Sequence, residues 1–199
     1  MNTMILYRSK SHGNTKRLVD AICAAHPEVA CLDVSTVGKE EKVDLSAYRL
    51  IGLASGVYYG NMDSTLMRVA SKSLRDGDYV FGLVTRGSND QKFSKNLGDT
   101  CLLRAANLIG IYDVFGYNTM FPFKLVGGLM KGHPTQEEVD GAVAFYEGLV
   151  ETYGASIEAG HAKRAARDAY LEEHPIPSIW KALSMQVKRL AGRDEDASK

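Results

Sequence analysis

Short apolar runs alternate along this chain with longer stretches whose apolar residues recur at helical spacing. Met4-Ile5-Leu6-Tyr7 is a continuous apolar run closed by serine, histidine and glycine, which reads as a buried strand. Thr15 to Ala25 follows with Leu18, Val19, Ile22 and Cys23 on one face, so a helix begins directly after Gly13. The same rhythm then repeats. Strands are predicted over Val29–Val34, Leu50–Ser55, Tyr79–Val84 and Val114–Asn118, and helices over Met62–Leu74, Phe93–Ile109 and Thr135–Tyr153. In the Phe93–Ile109 helix, Leu97, Cys101, Leu102, Ala105 and Leu108 form the apolar stripe. Thr135 and Glu138 have the spacing of a capping box at the start of the last helix.

Strands alternating with helices imply parallel βαβ units with helices on both faces of the sheet. The fold class is therefore α/β, a doubly wound five-stranded parallel sheet, and its five strands fit the order 2-1-3-4-5. In such sheets ligands sit beyond the carboxyl ends of the strands at the topological switch point. That singles out three loops, Ser9–Thr15, Gly56–Asn61 and Thr85–Asn89. Residues 155–199 read differently, as a C-terminal helical extension to a domain spanning 1–154. Glu158–Glu173 looks helical, Pro175 and Pro177 interrupt it, and Ser178–Ala191 resumes with Ile179, Trp180, Leu183, Val187 and Leu190 on one side.

Composition narrows the function classes. Lys plus Arg and Asp plus Glu both total 24 in 199 residues, so the basic excess expected of a nucleic-acid binder is lacking. No apolar run reaches the roughly 20 residues of a membrane-spanning helix. The first apolar run stops at Tyr7, which does not resemble a secretory leader, so a cytoplasmic location is expected. Cys23, Cys31 and Cys101 fit neither a zinc nor a thioredoxin spacing and read as reduced, buried small hydrophobes. The histidines form no pair at metal-ligand spacing, and His26 reads as a surface residue. No Ser-His-Asp or paired-carboxylate constellation stands out, so no metal is assigned and no side chain is given a catalytic role.

The first loop carries the clearest chemistry. A strand runs through Ser9-Lys10-Ser11-His12-Gly13-Asn14-Thr15 straight into a helix. A phosphate dianion is held by backbone N–H groups at a helix start and by short hydroxyl side chains. Ser9, Ser11 and Thr15 supply hydroxyls, Gly13 permits close backbone approach, and Asn14 with neighbouring amides completes the nest.

This loop resembles the phosphate loop of flavodoxins, a Ser/Thr-x-Thr-Gly-Asn-Thr run, with His12 as one extra residue that leaves open whether Ser9 or Ser11 touches the phosphate. The resemblance continues through the third strand and flavin loop at Ile51–Gly60, through Gly116–Gly128, and through Lys131–Thr135 at the entry to the last helix. It covers roughly residues 4 to 153. It implies a flavodoxin-like strand order and bound flavin mononucleotide (FMN). It also gives Ser55, Gly56, Val57, Tyr58, Tyr59 and Gly60 to the flavin loop, where either Tyr58 or Tyr59 stacks on the ring. In flavodoxins a peptide here turns its carbonyl toward flavin N5, a role that falls by resemblance to the peptide next to Gly56 or Gly60. Thr85, Arg86 and Gly87 would meet the pyrimidine edge, with Arg86 either near N1 and O2, where a cation favours the reduced anion, or simply solvated. Phe121, Phe123 and Lys124, beyond the fifth strand, either rim the flavin or cover the sheet, the second reading being preferred.

The function implied is electron transfer through FMN between redox partner proteins, a reductase and an electron acceptor, in small transient contacts. The alternative is an FMN-dependent oxidoreductase acting on a quinone or porphyrinogen, because the long phosphate loop and the run after the third strand also resemble menaquinone-linked protoporphyrinogen oxidases of this fold. The basic segment 178–193 reads as a helix packed on the domain or on a sister subunit, or as a peripheral membrane contact.

Overall fold

The computed structural model describes residues 1–87, 95–119, 125 and 127–175. Five long strands, β1 (Thr3–Arg8), β2 (Val29–Asp33), β3 (Leu50–Tyr58), β5 (Tyr79–Arg86) and β6 (Asn107–Phe115), run parallel in the order β2-β1-β3-β5-β6. A sixth, β4 (Asn61–Met62), is a two-residue strand antiparallel to the end of β3. With β4 set aside, the order is the predicted 2-1-3-4-5.

The strands read as unbroken apolar runs because both faces are covered. On one face Met4, Leu6, Ile51, Leu53, Val80 and Val84 pack with Leu66, Val69 and Ala70 of α2 (Ser64–Ser73) and with Leu97 and Cys101 of α3 (Lys95–Leu103). On the other, Ile5, Ala54, Phe81 and Leu83 pack with Leu18, Val19 and Ile22 of α1 (Asn14–Ala25) and with Val139, Ala142, Tyr146 and Leu149 of α4 (Gln136–Glu173). Neighbours Leu6 and Ile5, or Val80 and Phe81, thus serve opposite layers, as a period of two requires. The buried Tyr146 hydroxyl finds its partner in Thr3 Oγ1 at 3.0 Å.

The capping box forms. Glu138 N–H donates to Thr135 Oγ1 at 3.2 Å, and Thr135 N–H donates to Glu138 Oε2 at 2.6 Å. α4 then runs without a break past residue 154. The chain divides into a unit Met1–His161 and a unit from Ala162 onward. Within the first unit, Ile157 is fully buried. In the described part of the second, Tyr170 stacks on His174 with ring centroids 4.4 Å apart.

Three expectations are corrected. The predicted Phe93–Ile109 helix ends at Leu103, and the fifth strand begins at Asn107 instead of Val114. The helix closes in a Schellman motif: Ala106 N–H reaches Cys101 O at 2.8 Å and Ala105 N–H reaches Leu102 O at 3.1 Å. The left-handed residue of that motif is Ala105, at φ 51°, where the usual signal is a glycine. Leu102, placed on the apolar stripe, is exposed, and Leu108 belongs to β6. Second, the region Gly56–Asn61 is the end of β3, a tight turn and the start of β4 rather than an open loop. Its helix starts two residues later than predicted, at Ser64, because Asp63 caps it. Third, Cys23 and Cys31 are not buried thiols. They are paired as a disulfide between α1 and β2, Cys31 is exposed, and Cys101 alone is free and buried. Burial pushes the Cys101 thiol up to about 11, which keeps it protonated and inert.

Phe93, Ser88, Asn89, Phe121, Phe123, Lys124 and the segment 178–193 lie outside the described residues. Among the described residues no helix is long and apolar enough to cross a membrane.

Candidate functional site

The carboxyl ends of β1, β3, β5 and β6 converge on one pocket, walled by residues drawn from 11–15, 56–58, 85–87 and 116–118. Of the residues singled out in the sequence, Ser11, Asn14, Thr15, Gly56, Val57, Tyr58, Thr85, Arg86 and Gly87 line it. Ser9, His12 and Gly13 belong to the same loop without lining the pocket, and Ser55, Tyr59 and Gly60 lie apart from it.

The first loop is built around two consecutive left-handed residues, His12 at φ 53° and Gly13 at φ 70°. Backbone turns of this kind gather N–H groups into anion-binding concavities. His12 is held in place from outside the loop. Its ring packs on Tyr117 with centroids 4.5 Å apart, and its Nε2 shares a 2.8 Å hydrogen bond with Thr119 Oγ1. Gly13 is the residue before α1, and no side chain there caps the helix. The first turn of α1 also carries no acidic residue. The nearest substitute is Ser9 Oγ, which accepts from Lys16 N–H at 3.4 Å, a long contact that an incoming acceptor would readily replace. Asn14 N–H donates to Ser11 O at 3.2 Å, so the twelve-residue helix presents at the pocket a positive end with no acidic residue opposite it and only long hydrogen bonds to its first turn. A Cβ built on Gly13 meets no atom within 4 Å, so the space over the helix start is open.

The floor beneath this loop is polar and tightly arranged. Buried Thr15 and Thr85 share a hydrogen bond between their hydroxyls at 2.8 Å, tying α1 to the end of β5. Asn14 Nδ2 donates to Tyr117 O at 2.9 Å across Gly116, where a Cβ would lie 2.8 Å from that same nitrogen.

The opposite wall is the β3–β4 hairpin. Tyr59 at φ 52° and Gly60 at φ 78° form its two-residue turn, the combination of positive angles that a type I′ turn requires. The two tyrosines part company here. Tyr59 points away at 90 % exposure. Tyr58 folds back across Gly56, and its hydroxyl accepts from Lys10 N–H at 3.1 Å. With Tyr58 in this position the pocket, which is open to solvent on one side, offers only about 30 Å³ of space, room for about one water.

Ser55 is wholly buried, and its hydroxyl accepts from Asp63 N–H at 3.0 Å, so it braces the hairpin instead of facing a ligand. Arg86 is neither solvated nor directed solely at the pocket. Its Nε donates to Asp113 Oδ2 at 2.6 Å, and its guanidinium lies 4.4 Å from the centre of the Phe115 ring.

Lys10 and Asp63, not singled out in the sequence, brace the hairpin without lining the pocket. Lys10 Nζ lies 2.5 Å from Asp63 Oδ2. Burial alone would push the Asp63 carboxyl up, but the Lys10 ammonium and the N–H groups of Leu66 and Thr65 outweigh it and hold the group below the ordinary 3.8. The Asp-Ser-Thr run before α2 was the visible signal of a helix cap; its partner across the site had none. Gly116, Tyr117 and Asn118, noted only within a resembling motif, also line the pocket. No group of three or more His, Cys, Asp or Glu suited to a metal occurs among the described residues.

Oxidised flavodoxin 1 from Bacillus cereus matches with a TM-score of 0.53 at 16% identity, over 75% of this chain and 98% of its own. The fold is flavodoxin-like. Two further solved structures share this flavodoxin-like architecture. RosB with bound 8-demethyl-8-formylriboflavin-5'-phosphate has a TM-score of 0.54 at 12% identity and covers 89% of each chain. An NADPH-quinone reductase from P. pentosaceus has a TM-score of 0.51 at 14% identity, over 73% of this chain and 97% of its own. By sequence, an uncharacterized protein of Methanocaldococcus jannaschii is 28% identical over 153 residues, 76% of this chain and 99% of the relative. No family model matches the sequence.

Proposed function

We propose that this flavodoxin-like domain binds FMN at the carboxyl edge of its sheet and passes electrons between redox partner proteins in the cytoplasm. The observation that carries the reading is the start of α1, which has no acidic residue opposite it and only long first-turn hydrogen bonds, behind the left-handed pair His12-Gly13 with open space above Gly13. That arrangement suits a phosphate ester: N–H dipoles and the hydroxyls of Ser11 and Thr15 surround the place a dianion would take. The ring end fits conditionally. The roughly one-water volume of the pocket requires the Tyr58 side chain to move outward or the isoalloxazine to lie against its outer face. The flavin phosphate bound in RosB, a protein of the same fold, supports the choice of cofactor.

FMN supplies the redox chemistry when bound; the chain binds it, orients it and limits access to it. Among the described residues that line the pocket, Arg86 alone is a charged residue type, and it is paired with Asp113. No acid or base is therefore positioned at the pocket by the described residues, which favours a carrier over a catalyst of proton transfer. The test is purification without added flavin, followed by an absorbance spectrum and titration with FMN and riboflavin. A yellow protein that prefers FMN is the expected result, and a colourless protein that takes up neither flavin overturns the proposal. Steady NAD(P)H- or quinone-dependent turnover without a separate reductase would replace the carrier reading with that of an oxidoreductase.

A further inference from the structure

We propose that a second pocket, at the amino ends of the strands, binds a small oxyanion carrying two or more negative charges, with Arg75 as its central donor. This pocket shares no residue with the first. It is formed by Lys42–Leu45 ahead of β3, by the end of α2 and the residues that follow it, and by Arg104 just past α3. It therefore stands at the opposite end of the sheet from the candidate flavin site, and nothing about it depends on the flavin reading.

The pocket has a volume of about 370 Å³ and is open to solvent. That is within the size range of small-molecule sites. Four basic residues line it, Lys42, Lys72, Arg75 and Arg104, against one acidic residue, Asp44. The chain as a whole has equal numbers of basic and acidic residues, so this excess is local. Two of the four cations are partly engaged. Arg104 donates from Nε and Nη2 to Leu74 O at 3.0 and 2.9 Å. Lys72 Nζ donates to Lys39 O and to Glu40 Oε2, both at 2.7 Å. Glu40 is 94 % exposed, so that ion pair is screened by solvent and holds the lysine weakly. Lys42 is exposed and has no ion-pair partner among the described residues.

Arg75 decides the matter. Its side chain is half-buried, and its Nε is buried with no hydrogen-bond partner among the described residues. The carboxylates beside it are occupied. Asp78 Oδ2 accepts from the Arg75 backbone N–H at 2.7 Å. Asp44 Oδ1 accepts from Ser46 N–H at 2.9 Å; that bond first, and then the charges of Arg75 and Lys42, hold the Asp44 carboxyl below the ordinary 3.8. Asp44 is exposed and forms an ion pair with neither cation among the described residues. A half-buried guanidinium without an acceptor is costly. An oxyanion entering the pocket supplies that acceptor, because a guanidinium offers parallel N–H donors that match a phosphate or a carboxylate. A single negative charge would leave the cations in excess. Two or three charges balance Arg75, Lys42 and the donor capacity that Arg104 has left.

Pyrophosphate and citrate, titrated calorimetrically into the full chain against sodium chloride at equal ionic strength, test the site. At least one of the two probes should fill a single saturable site, and its affinity should fall as salt rises. Arg75→Met keeps the apolar stem and removes the donors, and should weaken that binding about tenfold or more. Lys42→Ala, at an exposed position that the fold does not need, should weaken it about threefold. Gly13→Val alters the first loop, the other place where a phosphate could settle, and should leave the affinity unchanged. Tighter binding of pyrophosphate would assign the site to phosphate compounds, and tighter binding of citrate to polycarboxylates. The proposal is overturned if neither probe saturates a site on the unaltered chain. It is overturned equally if binding survives Arg75→Met and is lost in Gly13→Val, which would put the anion at the first loop. Should Arg75→Met not fold, Lys42→Ala decides alone, and an unchanged affinity in that variant overturns the proposal.

Discussion

The two walls of the pocket use the same backbone device and surround it differently. In each, a bulky residue and a glycine occupy consecutive left-handed positions: His12-Gly13 in the first loop and Tyr59-Gly60 in the hairpin. Left-handed geometry costs a non-glycine residue about 1–2 kcal/mol. At His12 that cost is offset inside the molecule, by the Tyr117 ring and the Thr119 hydroxyl. At Tyr59 it is not, since the ring is almost wholly exposed. The contrast teaches that equal strain need not have equal meaning. His12 is held by side-chain contacts beyond its own loop, whereas Tyr59 is held only by the hairpin turn that its backbone completes.

The largest effect expected from breaking this contrast is at Gly13. Gly13→Val places a β-branched residue at a left-handed position and fills the open space above the helix start. FMN affinity should fall by about a hundredfold or more, the value of two lost hydrogen bonds to a charged acceptor. Flavin titration measures the loss, and a far-ultraviolet spectrum confirms that the fold persists. Retention of full affinity would place the phosphate elsewhere. Next come the paired substitutions to asparagine, which tolerates the left-handed region. His12→Asn should destabilise by about 1 kcal/mol, because the stacking and the Thr119 bond outweigh the relief of strain. Tyr59→Asn should stabilise by about 0.5–1 kcal/mol, because Asn-Gly is the preferred pair for this turn. Urea unfolding without flavin reads both, and shifts of the same sign would end the distinction drawn between the walls.

The smallest effect is a pH dependence. The folded Asp63 carboxyl is held below its ordinary value, so its contribution to stability is complete above the unfolded value and is lost as pH falls through the folded one. Acid unfolding of Asp63→Asn should accordingly lack one component, below about pH 4, that the unaltered chain shows. Superimposable acid limbs would mean that neither Lys10 nor the N–H groups of Thr65 and Leu66 hold this carboxyl below its ordinary value.

Much of the first wall was legible in the sequence. A strand, small hydroxyl residues, a glycine and a helix follow one another locally, and local patterns are what periodicity and turn chemistry report. The Thr135–Glu138 box was legible for the same reason. The second wall was harder to read. Its turn carries Tyr-Gly where Asn-Gly would announce a hairpin, and its brace, Lys10 with Asp63, joins residues far apart in the chain. The misplaced fifth strand has a single cause in Ala105, which ends α3 in a conformation normally signalled by glycine. That error hid the partner of Arg86 as well, because Asp113 lies on the strand that was displaced.

Ile157 sets a practical limit on how this protein can be shortened. Its side chain is fully buried in the layer beneath α1 and α4, three residues beyond the point where the sequence suggests that the domain stops. A chain trimmed after Gly154 would forfeit that anchor and leave raw carbonyl ends in a turn still packed on the sheet, so limited digestion or recombinant trimming should spare everything up to His161.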